Sequence, residues 1–271
     1  MSERYAVVTG ANGGIGKKTC QLLEEDGFHI FALDKYLPDP DKRTVDSYTW
    51  IQADIADNSD VLSAFELIKS HTSELHGLVN IAGIFDQFPL MEAEHKQFDD
   101  LIFTNFIGHQ HLTKTLFPLL YRGKGRVVNL SSETVLAPMP LQAYAFSKKL
   151  FEIWNDQLRM ELGLLGMHVI IIRAGGHATQ FIQRSVDVLS NYDHSSKYAN
   201  LLQKVKDNGN RILKGVKNDP KDVADKVVRA MTHRRPSQKY RANVSLLFRF
   251  LSMIPRKLRE RLIIKKLKNW M

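Results

Sequence analysis

Tyr144 and Lys148 stand four residues apart in the run Tyr-Ala-Phe-Ser-Lys. On a helix that spacing puts both on one face. A phenol with a pKa near 10 is a poor base at neutral pH, and a neighbouring ammonium favours the phenolate. Such a pair can trade a proton with a substrate oxygen while a hydride moves at the attached carbon. Alone, Tyr-x-x-x-Lys is a common coincidence, so its surroundings decide its meaning. Just upstream, Ser131-Ser132 ends the apolar run Arg126–Leu130. A hydroxyl at a strand end can hold a substrate oxygen beside Tyr144.

A second set of residues lies near the start of the chain. Thr9-Gly10-Ala11-Asn12-Gly13-Gly14-Ile15-Gly16 follows one apolar run and opens an amphipathic one. Without Cβ atoms, Gly10, Gly14 and Gly16 let the backbone turn tightly and approach a pyrophosphate, while the helix N-terminus adds partial positive charge. Strand, glycine turn and helix is the context in which this motif binds a dinucleotide. Asp34 ends the next apolar run. A carboxylate there accepts hydrogen bonds from both hydroxyls of an adenosine ribose and repels a 2′-phosphate, so NAD is expected over NADP. The adjacent Lys35 could instead accommodate that phosphate.

These residues need a scaffold, and the hydrophobic pattern predicts one. Short apolar runs at Tyr5–Thr9, Phe28–Leu33, Thr49–Ala53, Gly77–Ile81, Arg126–Leu130 and His168–Arg173 read as strands covered on both faces. Helical patterns near Gly14–Asp26, Ser59–Ser73, His95–Leu120 and Tyr144–Leu164 alternate with them. The expectation is an α/β, Rossmann-type, doubly wound parallel sheet in three layers, with ligands at the carboxyl ends of the strands. Residues 175–217 read as a lid. Asp219-Pro220 signals a helix start, and Gln238–Asn243 could be a last strand. One domain over residues 1–243 and a basic extension over 244–271 follow.

With the motifs in this order, the chain resembles the single-domain short-chain dehydrogenases/reductases over about Ser2–Asn243. The resemblance implies an oxidoreductase acting on alcohol or carbonyl groups, and it assigns roles residue by residue. The glycine motif, with Gly10, Asn12, Gly14, Ile15 and Gly16, would hold the cofactor together with Asp34. Asp54-Ile55 looks like the pair that holds the adenine, and Asn80-Ile81-Ala82-Gly83 is similar to an Asn-Asn-Ala-Gly segment. Asn105 resembles a helix residue that maintains a proton-relay water. Ser132, Tyr144 and Lys148 match the Ser/Tyr/Lys set, with Lys148 also on the nicotinamide ribose. Arg173-Ala174-Gly175 resembles a Pro-Gly turn, after which Thr179 falls at the nicotinamide amide.

Two departures stand out. Ala174 replaces a proline, and the gap between serine and tyrosine is atypical. Counting back from Tyr144 selects Ser131, whereas counting along the strand selects Ser132. The strand count is preferred, because loops absorb deletions more easily than strands do. A retinol- and steroid-dehydrogenase-like look suggests an apolar substrate, with Phe85, Phe88, Leu141 and Phe181 near the cleft. A dimer or tetramer is expected, and no metal. The competing readings are a catalytically silent dinucleotide-binding regulator, which would need no proton donor, and a sugar-nucleotide epimerase or dehydratase, which would need a larger C-terminal domain.

Charge and cysteine content bound the rest. Cys20 is the only cysteine, and neither a signal-peptide core nor an uncharged apolar run of about 18 residues is present, so a cytoplasmic protein is expected. The net charge of +9 is concentrated: Thr232–Met271 holds 12 Lys and Arg against one acid, Glu260, leaving the body at −2. Charge therefore offers no reason to invoke nucleic acid for the body. From Pro255 onward, Leu258, Leu262, Leu267 and Trp270 are read as one face of a basic helix. That helix would dock on its own domain or on a partner subunit, or lie on an anionic membrane surface.

Overall fold

The computed structural model describes residues 3–39, 48–177, 179, 181, 195–215 and 218–270. Seven strands are seen among them: β1 Arg4–Thr9, β2 Phe28–Asp34, β3 Tyr48–Gln52, β4 Gly77–Asn80, β5 Arg126–Ser132, β6 Val169–Ala174 and β7 Lys239–Ala242. They form one parallel sheet in the order β3-β2-β1-β4-β5-β6-β7. The strand order reverses between β1 and β4, which opens a crevice at the carboxyl ends of both.

The inner strands are largely apolar because both of their faces are covered, whereas the edge strand β7, Lys-Tyr-Arg-Ala, is partly exposed. Ala6, Val8, Ile30, Ala32 and Val128 pack with Leu23 of helix α1 (Gly14–Glu25) and Val223 and Val227 of helix α7 (Lys221–Thr232). The alternate residues Val7, Phe31, Leu33 and Val127 pack with Ile68 of α2 (Asn58–His71), Leu116 of α4 (Gly108–Arg122) and Leu162 of α5 (Ala143–Leu164). Period-two alternation thus separates two cores across the sheet, giving three layers.

The long helix expected over His95–Leu120 is interrupted. Helix α3 (His95–Ile102) runs into a π-turn at Phe103–Ile107 before α4 begins. Such a turn carries one extra residue, and Asn105 within it is fully buried. β5 extends two residues past the expected end and includes both serines. The one long helix in the described part of the expected lid is α6 (Ala199–Gly215); residues 178, 180, 182–194, 216 and 217 lie outside the described residues. Helix α7 starts close to its sequence signal, where Lys221 N donates to Asp219 Oδ1 at 2.8 Å.

Two more helices, α8 (Leu246–Met253) and α9 (Arg256–Lys268), form the extension. The single apolar face expected for α9 is not found. Leu267 packs on Leu141, Leu201 and Leu202 with Ile263 and Trp270, while Leu258 and Leu262 are exposed. At about 100° per residue, Leu262 and Leu267 point well apart around the helix. The docked stripe is Ile263, Leu267 and Trp270.

Candidate active site

Tyr144 lies in the first turn of α5, one turn before Lys148. Its phenol is held above its ordinary pKa by burial, and a hydrogen bond with the Ser132 side chain pulls the other way. Burial, not the neighbouring ammonium, thus sets the direction of the shift. Lys148 Nζ lies 5.9 Å from the Tyr144 ring centroid and donates to Leu130 O at 3.1 Å. Burial lowers Lys148 to about 8.

Strand alternation separates the two serines. Ser131 is buried and donates to Glu152 Oε1 at 2.8 Å, on the side away from the phenol. Ser132 Oγ faces Tyr144 and accepts from Thr134 N at 3.2 Å. Asn105 sits behind them: its Oδ1 accepts from Ile84 N at 2.8 Å, and its Nδ2 donates to Ile84 O and Ser147 Oγ at 2.9 Å.

The glycine turn is too tightly built to tolerate side chains at its glycines. Gly10 has φ +66°, and a Cβ there would stand 2.9 Å from Ala82 Cα. At Gly16 a Cβ would meet Gly10 O at 2.0 Å, so α1 could not seat against the turn. A Cβ on Gly14 would reach Thr179 Cγ2 at 2.8 Å, which brings the expected nicotinamide-side threonine to the same turn. Ile15 packs at the edge of the core below it. Asn12 Oδ1 is buried with no hydrogen-bond partner among the described residues, leaving an acceptor for a ribose hydroxyl. These features fit the cofactor.

Asp34 is the acid at this turn. Its Oδ2 accepts from Asn12 N at 2.9 Å and its Oδ1 from Tyr36 N at 3.0 Å, and each oxygen keeps a lone pair for a ribose hydroxyl. Lys35 turns away and pairs with Asp54 Oδ2 at 2.7 Å. Ile55, next to that acid, is buried in the core.

Other expected residues hold the loop rather than line it. Asn80 is fully buried and bonds Asn129 Oδ1 at 2.8 Å and Thr113 Oγ1 at 3.3 Å. Ala82 N donates to Thr9 Oγ1 at 3.1 Å, and a Cβ on Gly83 would stand 3.0 Å from Asn105 Oδ1. A Cβ on Gly175 would meet Asn243 O at 2.1 Å, so this turn needs its glycine. Of the four apolar residues expected at the cleft, Phe85 and Phe181 flank the Tyr144 ring at 5.2 and 5.6 Å. Phe88 packs on Leu101 instead, and Leu141 lies under α9.

Two supports escaped the sequence reading. His109, one turn after Asn105, is fully buried, and desolvation and Lys148 push it down to about 3. It is neutral, with one N–H to share between Ala82 O at 2.9 Å and Asn80 Oδ1 at 3.2 Å. Glu152, one turn after Lys148, receives Arg173 Nε at 2.7 Å and Nη2 at 2.6 Å. Both continue the four-residue spacing of an expected site residue, which was the available signal.

A family model described as short chain dehydrogenase matches residues 4–190. The chain belongs to the short-chain dehydrogenase family. It is an NAD(P)-dependent oxidoreductase acting on alcohol and carbonyl groups. The uncharacterized oxidoreductase YbbO of Escherichia coli (strain K12) is 33% identical over 184 residues, 67% of this chain and 68% of its own. Retinol dehydrogenase 16 of Mus musculus is 28% identical over 277 residues, 94% of this chain and 86% of its own. Among solved structures, a short chain dehydrogenase/reductase from Burkholderia phymatum in complex with NAD has a TM-score of 0.78 at 18% identity, covering 96% of this chain and 95% of that one. ElxO with NADP bound has a TM-score of 0.72 at 19% identity, covering 91% and 99%. None of these findings supports the catalytically silent alternative.

Proposed function

We propose that this short-chain dehydrogenase prefers NAD(H) and converts apolar alcohols and ketones, with Tyr144 as acid and base and Ser132 holding the substrate oxygen. When bound, the nicotinamide supplies or accepts the hydride. The observation behind this reading is the buried Tyr144 phenol, bonded to Ser132 and kept protonated at neutral pH. A neutral phenol is the donor that ketone reduction requires, and the nearby Lys148 ammonium favours the phenolate left behind. Asn105 fixes the Ile84 backbone beside Gly83 and Lys148, where a relay water would sit.

Gly10, Asn12, Gly14, Ile15, Gly16, Ala82, Gly83, Gly175 and Thr179 would hold the dinucleotide, with Asp54 and Ile55 toward the adenine and Asn80 behind the loop. The Lys35–Asp54 pair supports the NAD preference, because it leaves Asp34 as the charge facing the ribose. Phe85 and Phe181 support an apolar substrate, as does the likeness to a retinol dehydrogenase. A dimeric or tetrameric, cytoplasmic enzyme with a peripheral lipid contact through its extension belongs to the same reading.

The test is Tyr144→Phe, which keeps the ring. Turnover should fall by roughly 10²–10⁴ while NADH still binds. Near-normal turnover would overturn the assignment. For the cofactor, NADH should bind more tightly than NADPH, and Asp34→Ala should narrow the difference; equal affinities in the parent would refute the preference.

A further inference from the structure

The basic extension presents two kinds of surface, and only one of them is used within the described chain. Helix α9 points Ile263, Leu267 and Trp270 at Leu141 and at Leu201 and Leu202 of α6. Arg259 adds a hydrogen bond to Leu136 O at 3.3 Å. This side of α9 is therefore a strut. Helix α8 has no buried residue. Ser245 caps its start, accepting from Leu247 N at 3.2 Å, while Ser245 N donates to Glu133 Oε2 at 2.6 Å. At its other end Leu251 O accepts from Arg259 at 3.2 Å, so α8 is tied at both ends, yet Leu246, Leu247, Phe250 and Met253 are 60–76% exposed. Residues 246, 250 and 253 recur at helical spacing, with Leu247 beside them, so they form one stripe. Leu258 and Leu262 of α9 are also exposed.

An apolar stripe of this kind on an otherwise ordinary surface marks a binding face. Its surroundings identify the partner. Arg249 stands on α8, and Lys257, Arg261, Lys265, Lys266 and Lys268 stand exposed on α9. Glu260 is the one acid in the extension, and it is paired with Arg256 at 2.7 Å. A short helix with bulky apolar side chains outward and uncompensated cations beside it matches an anionic lipid headgroup layer over acyl chains.

We propose that α8 is the lipid-facing element of this protein, placing Leu246, Leu247, Phe250 and Met253 into an anionic bilayer surface while α9 stays docked on the domain. This rests on the peripheral-contact reading above and changes where the contact lies: the densest charge is on α9, but the more exposed apolar stripe is on α8. No helix among the described residues is long and apolar enough to cross a membrane, so the contact is with one leaflet.

The experiment is co-sedimentation of the full chain with phosphatidylcholine vesicles, with and without phosphatidylserine, at low and high salt. The parent should bind the anionic vesicles at low salt, less at high salt, and the neutral ones weakly. Leu247→Ser with Phe250→Ser should lower the partition coefficient by about a hundredfold, roughly tenfold per apolar side chain withdrawn from lipid. Melting temperature and turnover of a water-soluble alcohol should not change, because neither residue is buried. Phe250→Trp should show a blue-shifted emission on anionic vesicles, above the background of the native tryptophans. If the double variant binds like the parent and the new tryptophan does not shift, α8 is not the lipid face, although a peripheral contact survives elsewhere. If the parent does not bind at low salt, both ideas fall. If the double variant dissociates an oligomer in the absence of lipid, the stripe belongs to a second copy of the chain and the proposal is overturned.

Discussion

Lys148 is a buried ammonium whose one described hydrogen-bond partner is a backbone carbonyl, Leu130 O. Burial alone lowers it from 10.5 to about 8. The folded value lies below the unfolded one, so burying this lysine costs nothing above both values. The cost develops as the pH falls from about 10.5 toward 8 and is fully present at pH 7. It amounts to roughly 3 kcal/mol at most. Lys148→Met should therefore abolish turnover yet melt higher than the parent at pH 7, with the gap closing toward pH 10. A variant that melts lower at pH 7 would show that the bond to Leu130 O outweighs desolvation. The neighbouring serines separate in the same way. Ser132→Ala should lower turnover with little change in melting, since its partners are Tyr144 and the part-buried turn at Thr134. Ser131→Ala should do the reverse, because its hydroxyl bonds the buried Glu152. Equal effects of the two variants on turnover would contradict the strand register.

Three elements meet at Glu152. It lies on α5, accepts from Nε and Nη2 of Arg173 at the end of β6, and accepts from Ser131 at the end of β5. The pair clamps the carboxyl ends of two strands to the helix that carries Tyr144 and Lys148. Breaking a buried pair from one side leaves an uncompensated charge, so Glu152→Leu should cost about 3–5 kcal/mol. Adding Arg173→Met should recover most of that stability, as read from denaturant midpoints. Recovery of stability without recovery of turnover would assign the pair to positioning rather than to holding the fold. This clamp was not legible in the sequence, because its residues are distant in the chain and only the folded sheet brings them together. The strands and the glycine turn were legible because their causes are local: apolar runs and missing Cβ atoms. The interruption at Phe103–Ile107 was not, since a π-turn leaves the surrounding helical pattern intact and merely turns Asn105 inward. That Ser132 rather than Ser131 faces Tyr144 was legible by strand register, whereas which of the four apolar residues expected at the cleft reach the Tyr144 ring depends on tertiary packing.

For the whole molecule, the extension and the catalytic end form one mechanical unit. The segment from Ser132 to Tyr144 is gripped from outside at three points: Glu133 by Ser245 N, Leu136 O by Arg259, and Leu141 by Leu267. Leu141 also holds a φ of +66°, a conformation a leucine keeps only when its surroundings enforce it. From sequence, catalytic residues upstream of a basic tail suggest that the tail can be removed without touching chemistry. The grip implies otherwise. Removing Pro255–Met271 uncovers Leu141, Leu201 and Leu202 and frees Leu136 O. Losing the burial of one leucine, Leu267, accounts for about 2–3 kcal/mol, and each kcal/mol shifts melting by roughly 2–4 °C in a domain near this size. The truncated protein should melt several degrees lower. Its kcat should also fall, because the segment joining Ser132 to Tyr144 loses two of its three anchors. The KM for NAD should hold, since Gly10, Asp34 and Asp54 sit at the β1–β2–β3 end of the sheet, far from the tail in strand order. Leu267→Ala should reproduce the melting shift in milder form. A truncated chain with unchanged melting and unchanged kcat would show that the grip has no energetic consequence.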